Sequence, residues 1–507
     1  MKKNRPFLLI VIGLFSISLT SPAAERPPNV VLILVDDLGW SDIGCYGATF
    51  HETPNLDALA KSGALFTDAY AASPVCSPTR ASILSGKYPS RIGMSYLAGS
   101  RGPYGKTHKL TPPPVAGNIA SEDTTLAEAL RRAGYKTAHI GKWHLQSHTE
   151  KGNAHYPENH GFDINIGGQK AGQPGSYHFP YKSKQHPDTD VRGMEDGKDG
   201  DYLTDALTTK AIDFIKQNAD KPFFLNFWYY TVHTPIQPRK DKLAKYTAKA
   251  KKLGLDKLAG EADAEHQSFS QRRQTNPAYA AMVESLDENV GRLIAELDRL
   301  GLRENTIIIF FSDNGGLSTG PGKGFPACNR PLRAGKAWLY EGGIREPLII
   351  NYPLKIKPGQ RISEPVVSTD LFPTVLALAN QPMLPDQHVD GVNLVPLLEG
   401  DSSATGRDAI YFHLPHYHHI NTMGPSGAIR AGDFKLIEVF ETGKKELYNL
   451  REDIGESRDL AAEKPELVAK LSHLLEQWRQ DSGSKMATLN PNYTPENDWR
   501  NPSPSKP

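Results

Sequence analysis

The sequence is poor in cysteine, nearly neutral in net charge and free of internal repeats. Its 507 residues include only three cysteines, Cys45, Cys76 and Cys328, which excludes a domain held together by disulfides. With 58 basic and 57 acidic residues the formal net charge is +1, so the sequence predicts no nucleic-acid partner. No repeat of fixed period is evident, which excludes solenoid and propeller architectures.

The one long apolar run lies close to the N-terminus. Basic residues precede the apolar stretch 7–19, and small residues at 21–24 supply a plausible cleavage site. The run is shorter than the about 20 residues that a transmembrane helix needs. We therefore expect residues 1–24 to be a signal peptide, the mature protein to be periplasmic or secreted, and no integral membrane segment to remain after processing. An uncleaved anchor is the alternative.

Apolar strands alternate with helical stretches through the first 400 residues. The unbroken apolar run that ends at Asp36 is typical of a buried strand in a parallel sheet. Further strands are predicted at 136–140, 223–229, 306–312 and 348–351, and helices at 54–62, 125–133, 203–218 and 282–300. This alternation predicts an α/β fold with helices on both faces of a large, mostly parallel sheet.

The pattern changes near residue 400. Short strands are predicted at 409–414, 428–439 and 446–450, followed by a helix at 465–480. We expect a catalytic domain at 25–400, a smaller antiparallel subdomain at 401–485 and a flexible tail at 486–507.

Oxygen-bearing side chains follow two of the predicted strands. Asp36 and Asp37 end the first strand, and Asp313 and Asn314 end the strand 306–312. Ligand sites gather at the carboxyl ends of strands in open α/β sheets, and oxygen ligands without sulfur favour Ca²⁺ or Mg²⁺. Either pair alone is also consistent with a helix cap or a turn.

The pentapeptide from Cys76 to Arg80 reads C-S-P-T-R. Pro78 can start a helix, so residue 76 is expected just before a helix N-terminus, where backbone N–H groups favour an anion. Arg80 lies about one turn further on and can supply a fixed positive charge. Taken alone, the pentapeptide also fits an ordinary buried cysteine before a helix.

Histidines and lysines after other strands are candidates for proton transfer and anion binding. Lys142 and His144 lie two residues apart and so point to the same side of an extended segment. His233 follows the strand 223–229, and Lys336 precedes the motif E-G-G-I-R-E-P. Lysine supplies a compact positive charge, and histidine suits proton transfer near neutral pH.

Together these motifs resemble those of the formylglycine-dependent sulfatases in the alkaline phosphatase superfamily, with arylsulfatase A and the N-acetylgalactosamine-6-sulfatases as familiar members. The resemblance runs from about residue 29 to 396 and includes, in family order, D-D, C-x-P-x-R, G-K-W-H, E-N-H-G-F-D, H-T-P, F-x-S-D-N-G-G and G-K before E-G-G-I-R-E-P. The chain departs from it at Thr79, where serine is commoner, and at residues 84–87, where L-S-G-K replaces L-T-G-R.

The resemblance implies a fold, a cofactor and a catalytic set. The fold would be an alkaline phosphatase-like sandwich, and a formylglycine-generating or anaerobic sulfatase-maturing enzyme would oxidise Cys76 to formylglycine. One Ca²⁺ would be bound by residue 76 with Asp36, Asp37, Asp313 and Asn314. The residues implied around the aldehyde hydrate and the sulfate are Arg80, Lys142, His144, His233 and Lys336.

The same resemblance implies the reaction. The hydrated aldehyde would attack the sulfur of a sulfate ester, with Lys142, Lys336 and the metal stabilising the sulfuryl oxygens. His233, or Lys336 with it, would protonate the departing alcohol, and His144 would take a proton as sulfate leaves.

The substrate is predicted least sharply. We expect a sulfated carbohydrate, exo-acting hydrolysis and a galacto-configured sugar, the last two by family analogy alone. Imidazole and guanidinium groups can bind sugar hydroxyls or further sulfates, and the candidates are His413, His416, His418 and Arg333. A phosphonate or phosphodiester hydrolase of the same superfamily and a non-catalytic glycan-binding protein are the alternatives.

Overall fold

The computed structural model describes residues 26–100, 105–147, 154–401 and 405–501. The expected signal peptide lies outside these residues. The described part contains the strands β1 (Asn29–Val35), β2 (Ala64–Tyr70), β3 (Leu110–Thr111), β4 (Lys136–Gly141), β5 (Ile164–Ile166), β6 (Phe223–Trp228), β7 (Ala262–Glu265), β8 (Ser268–Gln271), β9 (Thr306–Ser312), β10 (Thr319–Gly320), β11 (Arg345–Asn351), β12 (Gln360–Ile362), β13 (Val366–Val367), β14 (Ile410–Leu414), β15 (Ser426–Ala431), β16 (Phe434–Val439), β17 (Lys445–Asn449) and β18 (Thr488–Leu489).

The helices lie between and after these strands. They are α1 (Pro54–Lys61), α2 (Cys76–Ser85), α3 (Pro89–Ile92), α4 (Leu126–Arg132), α5 (Leu203–Gln217), α6 (Lys240–Lys252), α7 (Pro277–Arg299), α8 (Glu341–Ile344), α9 (Leu371–Leu378), α10 (Val395–Glu399) and α11 (Pro465–Asp481). The longest, α7, begins at a Pro in its first turn, after Asn276 has capped two backbone N–H groups.

A large sheet forms the centre of the fold. Its strand order is β12-β2-β11-β9-β1-β6-β4-β5, with β13 paired to β2. Only β11 runs antiparallel to its neighbours, so the sheet is mostly parallel, as predicted. Parallel strands need crossover connections, which the helices supply.

Both faces of the sheet are covered by helices. Along β1, Val31, Ile33 and Val35 pack with α1, α5 and α7 on one face, while Val30 and Leu32 pack with α2, α4 and α9 on the other. Successive strand residues point to opposite faces, so a strand buried on both faces is apolar throughout. The predicted α/β class and its helix-covered sheet are confirmed.

A smaller antiparallel sheet follows, in the order β14-β15-β16-β17. Buried charges join it to the central sheet: Lys435 Nζ lies 2.9 Å from carboxylate oxygens of both Glu341 and Glu456, and Arg430 lies 2.7 Å from Asp68. Because buried charges are costly unless paired, this network favours one docking geometry for the C-terminal sheet.

Residues 486–501, which the sequence assigns to a flexible tail, contact residues of both the predicted catalytic domain and the predicted C-terminal subdomain. Strand β18 pairs antiparallel with β3. The ring of Trp499 stacks on His108 with centroids 5.3 Å apart, and Arg500 forms an ion pair with Glu441 at 2.8 Å. Residues 502–507 lie outside the described part of the chain.

Two further features bear on the sequence predictions. Cys45, Cys76 and Cys328 are all free thiols, so Cys45 and Cys328 do not form a disulfide. Among the described residues, no helix has the length and apolar character needed to cross a bilayer.

His139 on β4 makes stability depend on pH. Burial among the rings of Trp143, Phe162 and Trp228 lowers the pKa of His139 to about 3. In the unfolded chain His139 binds a proton below about pH 6.5, whereas in the folded chain it stays neutral down to about pH 3. The free energy of unfolding therefore falls as the pH drops from 6.5 toward 3. We expect His139→Gln to reduce the slope of the free energy of unfolding against pH by about 1.4 kcal/mol per pH unit. The slope is measured by urea unfolding between pH 7 and 4.

The matched control is His473→Gln on the exposed face of α11. It should leave the pH slope unchanged. An equal slope in the wild type and His139→Gln would contradict the assignment.

Candidate active site

The register of the central sheet sets two acidic pairs side by side. Strands β1 and β9 are parallel neighbours, and their last residues, Val35 and Ser312, are direct partners. The next residues of both strands therefore leave the sheet at the same edge. The backbone N–H of Asp37 donates to Asp313 Oδ1 at 3.3 Å, and Asn314 Nδ2 donates to Asp37 Oδ1 at 2.7 Å.

Two neighbouring strands bring the basic residues to the same edge. Strand β6 pairs with β1 on the side away from β9, and His233 follows it. Strand β4 pairs with β6, so that Lys142 and His144 follow at the next position. Lys142 Nζ donates to Asp36 Oδ2 at 2.6 Å, and His233 Nε2 lies 3.6 Å from Asp37 Oδ2.

Helix α2 brings Cys76 and Arg80 to the acidic pairs. The helix begins at Cys76 itself, rather than after it as the sequence predicted, and ends before Gly86, whose φ of 68° is left-handed. Arg80 lies one turn into the helix and donates from Nε to Asp313 Oδ2 at 2.8 Å. Ser77 donates from Oγ to the carbonyl of His144 at 2.7 Å, which fixes the helix against the segment after β4.

Lys336 completes the centre of the site from the loop before α8. Its Nζ donates to both carboxylate oxygens of Asp37, at 2.6 and 2.8 Å, and lies 3.7 Å from Cys76 Sγ. The sequence-predicted catalytic residues are therefore brought together around the thiol.

The backbone is strained at two positions of the site. Asp37 and His144 have φ of 60° and 59°, in the left-handed region that residues with a side chain rarely adopt. Gly172 packs against the His144 ring so closely that a Cβ there would lie 2.5 Å from the ring. Such strain persists where the surrounding structure enforces it, and it is common in functional sites.

Burial and charge shift the pKa of three central groups. Burial raises the pKa of the Cys76 thiol to about 12. Burial, followed by the positive charge of Lys336, lowers the pKa of His233 to about 3. Burial also raises the pKa of Asp36 to about 7, although Lys142 opposes the shift. In the absence of other ions, the Cys76 thiol and the His233 imidazole are therefore both neutral at pH 7.

The oxygen atoms at the strand ends fit a divalent cation. Asp36 Oδ1 and Asn314 Oδ1 are buried and accept no hydrogen bond from the described residues. Ligand atoms of Asp36, Asp37, Cys76 and His233 all lie within 4.8 Å of one another. Carboxylate and amide oxygens are the ligands that hard cations such as Ca²⁺ prefer.

A pocket of about 470 Å³ opens above Cys76. Of the residues predicted to bind substrate, His418 lines it. The other three have partners elsewhere: His413 contacts the carbonyl of Lys485, His416 contacts Ser95, and Arg333 forms an ion pair with Glu265. The structure therefore brings only one of the four to the pocket.

Residues that the sequence did not single out supply much of the pocket wall. They are Leu97, Gln173, His186, Asp188, Thr189, Leu317, His419 and Ile420. Only His419 carried a signal, because it belongs to the histidine-rich segment around His418. His186 and Asp188 lie in a long stretch between β5 and α5 that has little regular structure and no periodic pattern to reveal it.

The fold and the site together fit a hydrolase of anionic esters, with buried lysine and arginine side chains and carboxylate and amide oxygens at the carboxyl edge of a mostly parallel sheet. A family model described as Sulfatase matches residues 28–381. A second model, described as N-sulphoglucosamine sulphohydrolase, C-terminal, matches residues 334–481. The chain thus belongs to the sulfatase family of the alkaline phosphatase superfamily and is a sulfuric ester hydrolase.

Individual relatives agree with this assignment. A sulfatase of Formosa agariphila is 32% identical over 93% of this chain and 92% of its own length. The N-acetylgalactosamine-6-sulfatase of Canis lupus familiaris is 34% identical over 80% of this chain and 72% of its own length. The solved structure of Ps i-CgsB in complex with k-i-k-neocarrahexaose has a TM-score of 0.70 and 30% identity, over 90% of this chain and 94% of that one.

The Arg80–Asp313 pair gives a prediction about stability. Both side chains are fully buried, so Arg80→Ala leaves a buried carboxylate without its partner. We expect a loss of about 3–5 kcal/mol in the free energy of unfolding, measured in urea without added divalent cations.

The control is Arg299→Ala, which removes a largely exposed arginine paired with Glu296 and should change the free energy of unfolding far less than Arg80→Ala does. A similarly small loss for Arg80→Ala would show that the buried pair contributes little.

Proposed function

We propose that this sulfatase hydrolyses sulfate esters of carbohydrates, using Cys76 oxidised to formylglycine and one Ca²⁺. The observation that carries the proposal is the position of Cys76, at the base of the pocket beside Lys336 and Asp37. Lys336 offers a positive charge to an anionic substrate at this point, and Asp37 offers oxygen to a metal.

The unmodified thiol is unsuited to act as a nucleophile here. A cysteine reacts as the thiolate, and burial raises the pKa of the Cys76 thiol to about 12. At neutral pH the thiol therefore stays protonated and weakly nucleophilic. Oxidation to an aldehyde removes this difficulty, since the hydrated aldehyde supplies a hydroxyl nucleophile that does not depend on the thiol pKa.

The proposed metal ligands are Asp36, Asp37, Asp313 and Asn314, together with residue 76. When bound, Ca²⁺ would supply a Lewis acid for the sulfuryl oxygens and for the nucleophile. Arg80 and Lys142 hold Asp313 and Asp36 in place and offset their buried negative charge. Lys336 is positioned to stabilise charge that develops near residue 76.

Two groups can deliver a proton to the departing alcohol. His233 Nδ1 lies 2.9 Å from the carbonyl of Thr234, so the neutral ring donates there and its Nε2 is left as an acceptor. The negative charge of a bound sulfate ester raises the pKa of His233 and favours its protonation. Lys336 is protonated already: burial lowers its pKa, but the surrounding negative charges, that of Asp37 foremost, together outweigh burial and raise it. His144 is proposed to take a proton as sulfate leaves.

The relatives support a carbohydrate substrate. One acts on N-acetylgalactosamine 6-sulfate by its name, and one solved structure contains a neocarrahexaose. The first name favours a galacto-configured sugar, and exo-action on such a sugar is our proposal for this chain.

We further propose that the chain is exported, by the N-terminal pattern described above. Oxidation of Cys76 then requires a maturation enzyme, either a formylglycine-generating enzyme or an anaerobic sulfatase-maturing enzyme.

The nucleophile is tested at residue 76. In protein from the native host, mass spectrometry of the tryptic peptide should find residue 76 as formylglycine, and Cys76→Ala should abolish sulfate ester hydrolysis. Paired assays of sulfate, phosphate and phosphonate esters should favour sulfate. Full activity of Cys76→Ala, or a thiol in the fully active protein, would refute the nucleophile.

The metal is tested by thermal unfolding. Saturating Ca²⁺ at about 100-fold over its Kd should stabilise the wild type by about 2.7 kcal/mol, and a chelator should reverse the shift in Tm. Asn314→Ala removes one proposed ligand without changing charge and should reduce the shift.

Asn351→Ala is the matched control. Asn351 is equally buried and also has a side-chain oxygen without a hydrogen-bond partner among the described residues, but it ends the antiparallel strand β11 at the opposite edge of the sheet. It should retain the full calcium shift. Equal shifts in both variants would place the metal elsewhere.

A further inference from the structure

The outer wall of the pocket differs in chemistry from its base. The base contains the charged and catalytic groups around Cys76. We define the outer wall as seven pocket-lining residues outside the cluster around Cys76, which come from four separate segments: Leu97, Gln173, His186, Asp188, Leu317, His419 and Ile420.

Polar side chains of the outer wall are available to a ligand. Within the described part of the chain, the side chains of Gln173, His186 and Asp188 form no hydrogen bond or ion pair with the protein. His186, Asp188 and His419 are exposed, and Gln173 is half-buried. These groups offer carboxylate and amide acceptors, an amide donor and two imidazoles, a set that matches the hydroxyls of a sugar ring.

Apolar side chains line the pocket together with these polar groups. Leu97, Leu317 and Ile420 line the same pocket. A sugar ring has hydroxyls at its edge and C–H groups on its faces, so a wall with both kinds of side chain fits it. A cavity of about 470 Å³ is also within the range of small-molecule sites, about 300–1,000 Å³.

The charge of the outer wall is negative. Among the described residues that line the pocket, Lys336 is the only lysine or arginine, and it is paired with Asp37 at 2.6 Å. Asp188 is the only charged residue of the outer wall. A second sulfate or a carboxylate on the same sugar would meet this negative charge and no lysine or arginine of the wall.

We propose that the outer wall selects a sugar that carries one sulfate and no other charge, with Asp188 accepting hydrogen bonds from its hydroxyls. The inference rests on the proposed carbohydrate sulfatase function and narrows its substrate class. Specificity for the sugar comes from attraction and repulsion together. The sugar hydroxyls donate hydrogen bonds to the Asp188 carboxylate, and the same carboxylate repels a second anionic group on the sugar.

The test compares wild type and Asp188→Asn on three kinds of probe. The first is 4-nitrophenyl sulfate, which contains no sugar. The second is monosulfated galactose and monosulfated N-acetylgalactosamine, and the third is the disulfated forms of the same two sugars. The measured quantity is the ratio of kcat/KM on the best monosulfated sugar to kcat/KM on 4-nitrophenyl sulfate. A lost hydrogen bond to a charged group should lower this ratio about 10- to 100-fold, mainly through KM.

Asp188→Asn should also narrow the preference for monosulfated over disulfated sugars, because it removes the repelling charge. Asp188→Glu keeps the negative charge, so its ratio of kcat/KM values should lie between those of Asp188→Asn and the wild type. Asp220→Asn, an exposed aspartate after α5 that does not line the pocket, is the matched control and should leave the ratio unchanged.

The outcomes separate the two proposals. If formylglycine-containing wild type hydrolyses no sulfate ester, the proposed function fails and the inference with it. If it hydrolyses 4-nitrophenyl sulfate but no monosulfated sugar, prefers disulfated sugars, or keeps its ratio in Asp188→Asn, the inference alone is overturned.

Discussion

The pairing of β1 with β9 is the constraint on which the site depends. Because Val35 is the direct partner of Ser312, the residues after both strands leave the sheet together. A shift of one residue in this register would move Asp313 and Asn314 away from Asp36 and Asp37, and it would also turn the apolar side chains of β9 to the wrong faces. Packing of the core and assembly of the proposed metal site are therefore enforced by the same contacts.

The buried charges around Cys76 are stable only as a set. Arg80 and Lys142 are fully buried, which is costly for unpaired cations, and each is paired with a carboxylate at the strand ends. Neither lines the pocket, so under the proposed mechanism they would act on a substrate through the carboxylates they hold. Lys336, which does line the pocket, is the cation that a bound anion meets first.

Much of the fold was predictable because its strands carry a strong local signal. Strand β9 has the predicted bounds, and its apolar run is unbroken. Strand β2 was missed because Asp68 interrupts its pattern, and only the fold shows that Arg345 and Arg430 neutralise this aspartate. The residues around Cys76 were found by motif and strand position. The outer wall was not, since the chain segments that supply it meet only in the folded protein.

The order of the strands along the chain also has a consequence for biosynthesis. Cys76 is only 2% exposed once folded, so the maturation enzyme proposed above would have to reach it earlier. The central sheet cannot close before β9 is made, and over two hundred residues separate β9 from Cys76. At about 5–20 residues per second, translation leaves a window of roughly 10–50 seconds before that closure. Under the proposed oxidation of Cys76, maturation and folding would therefore compete, and the position of β9 late in the chain would favour maturation.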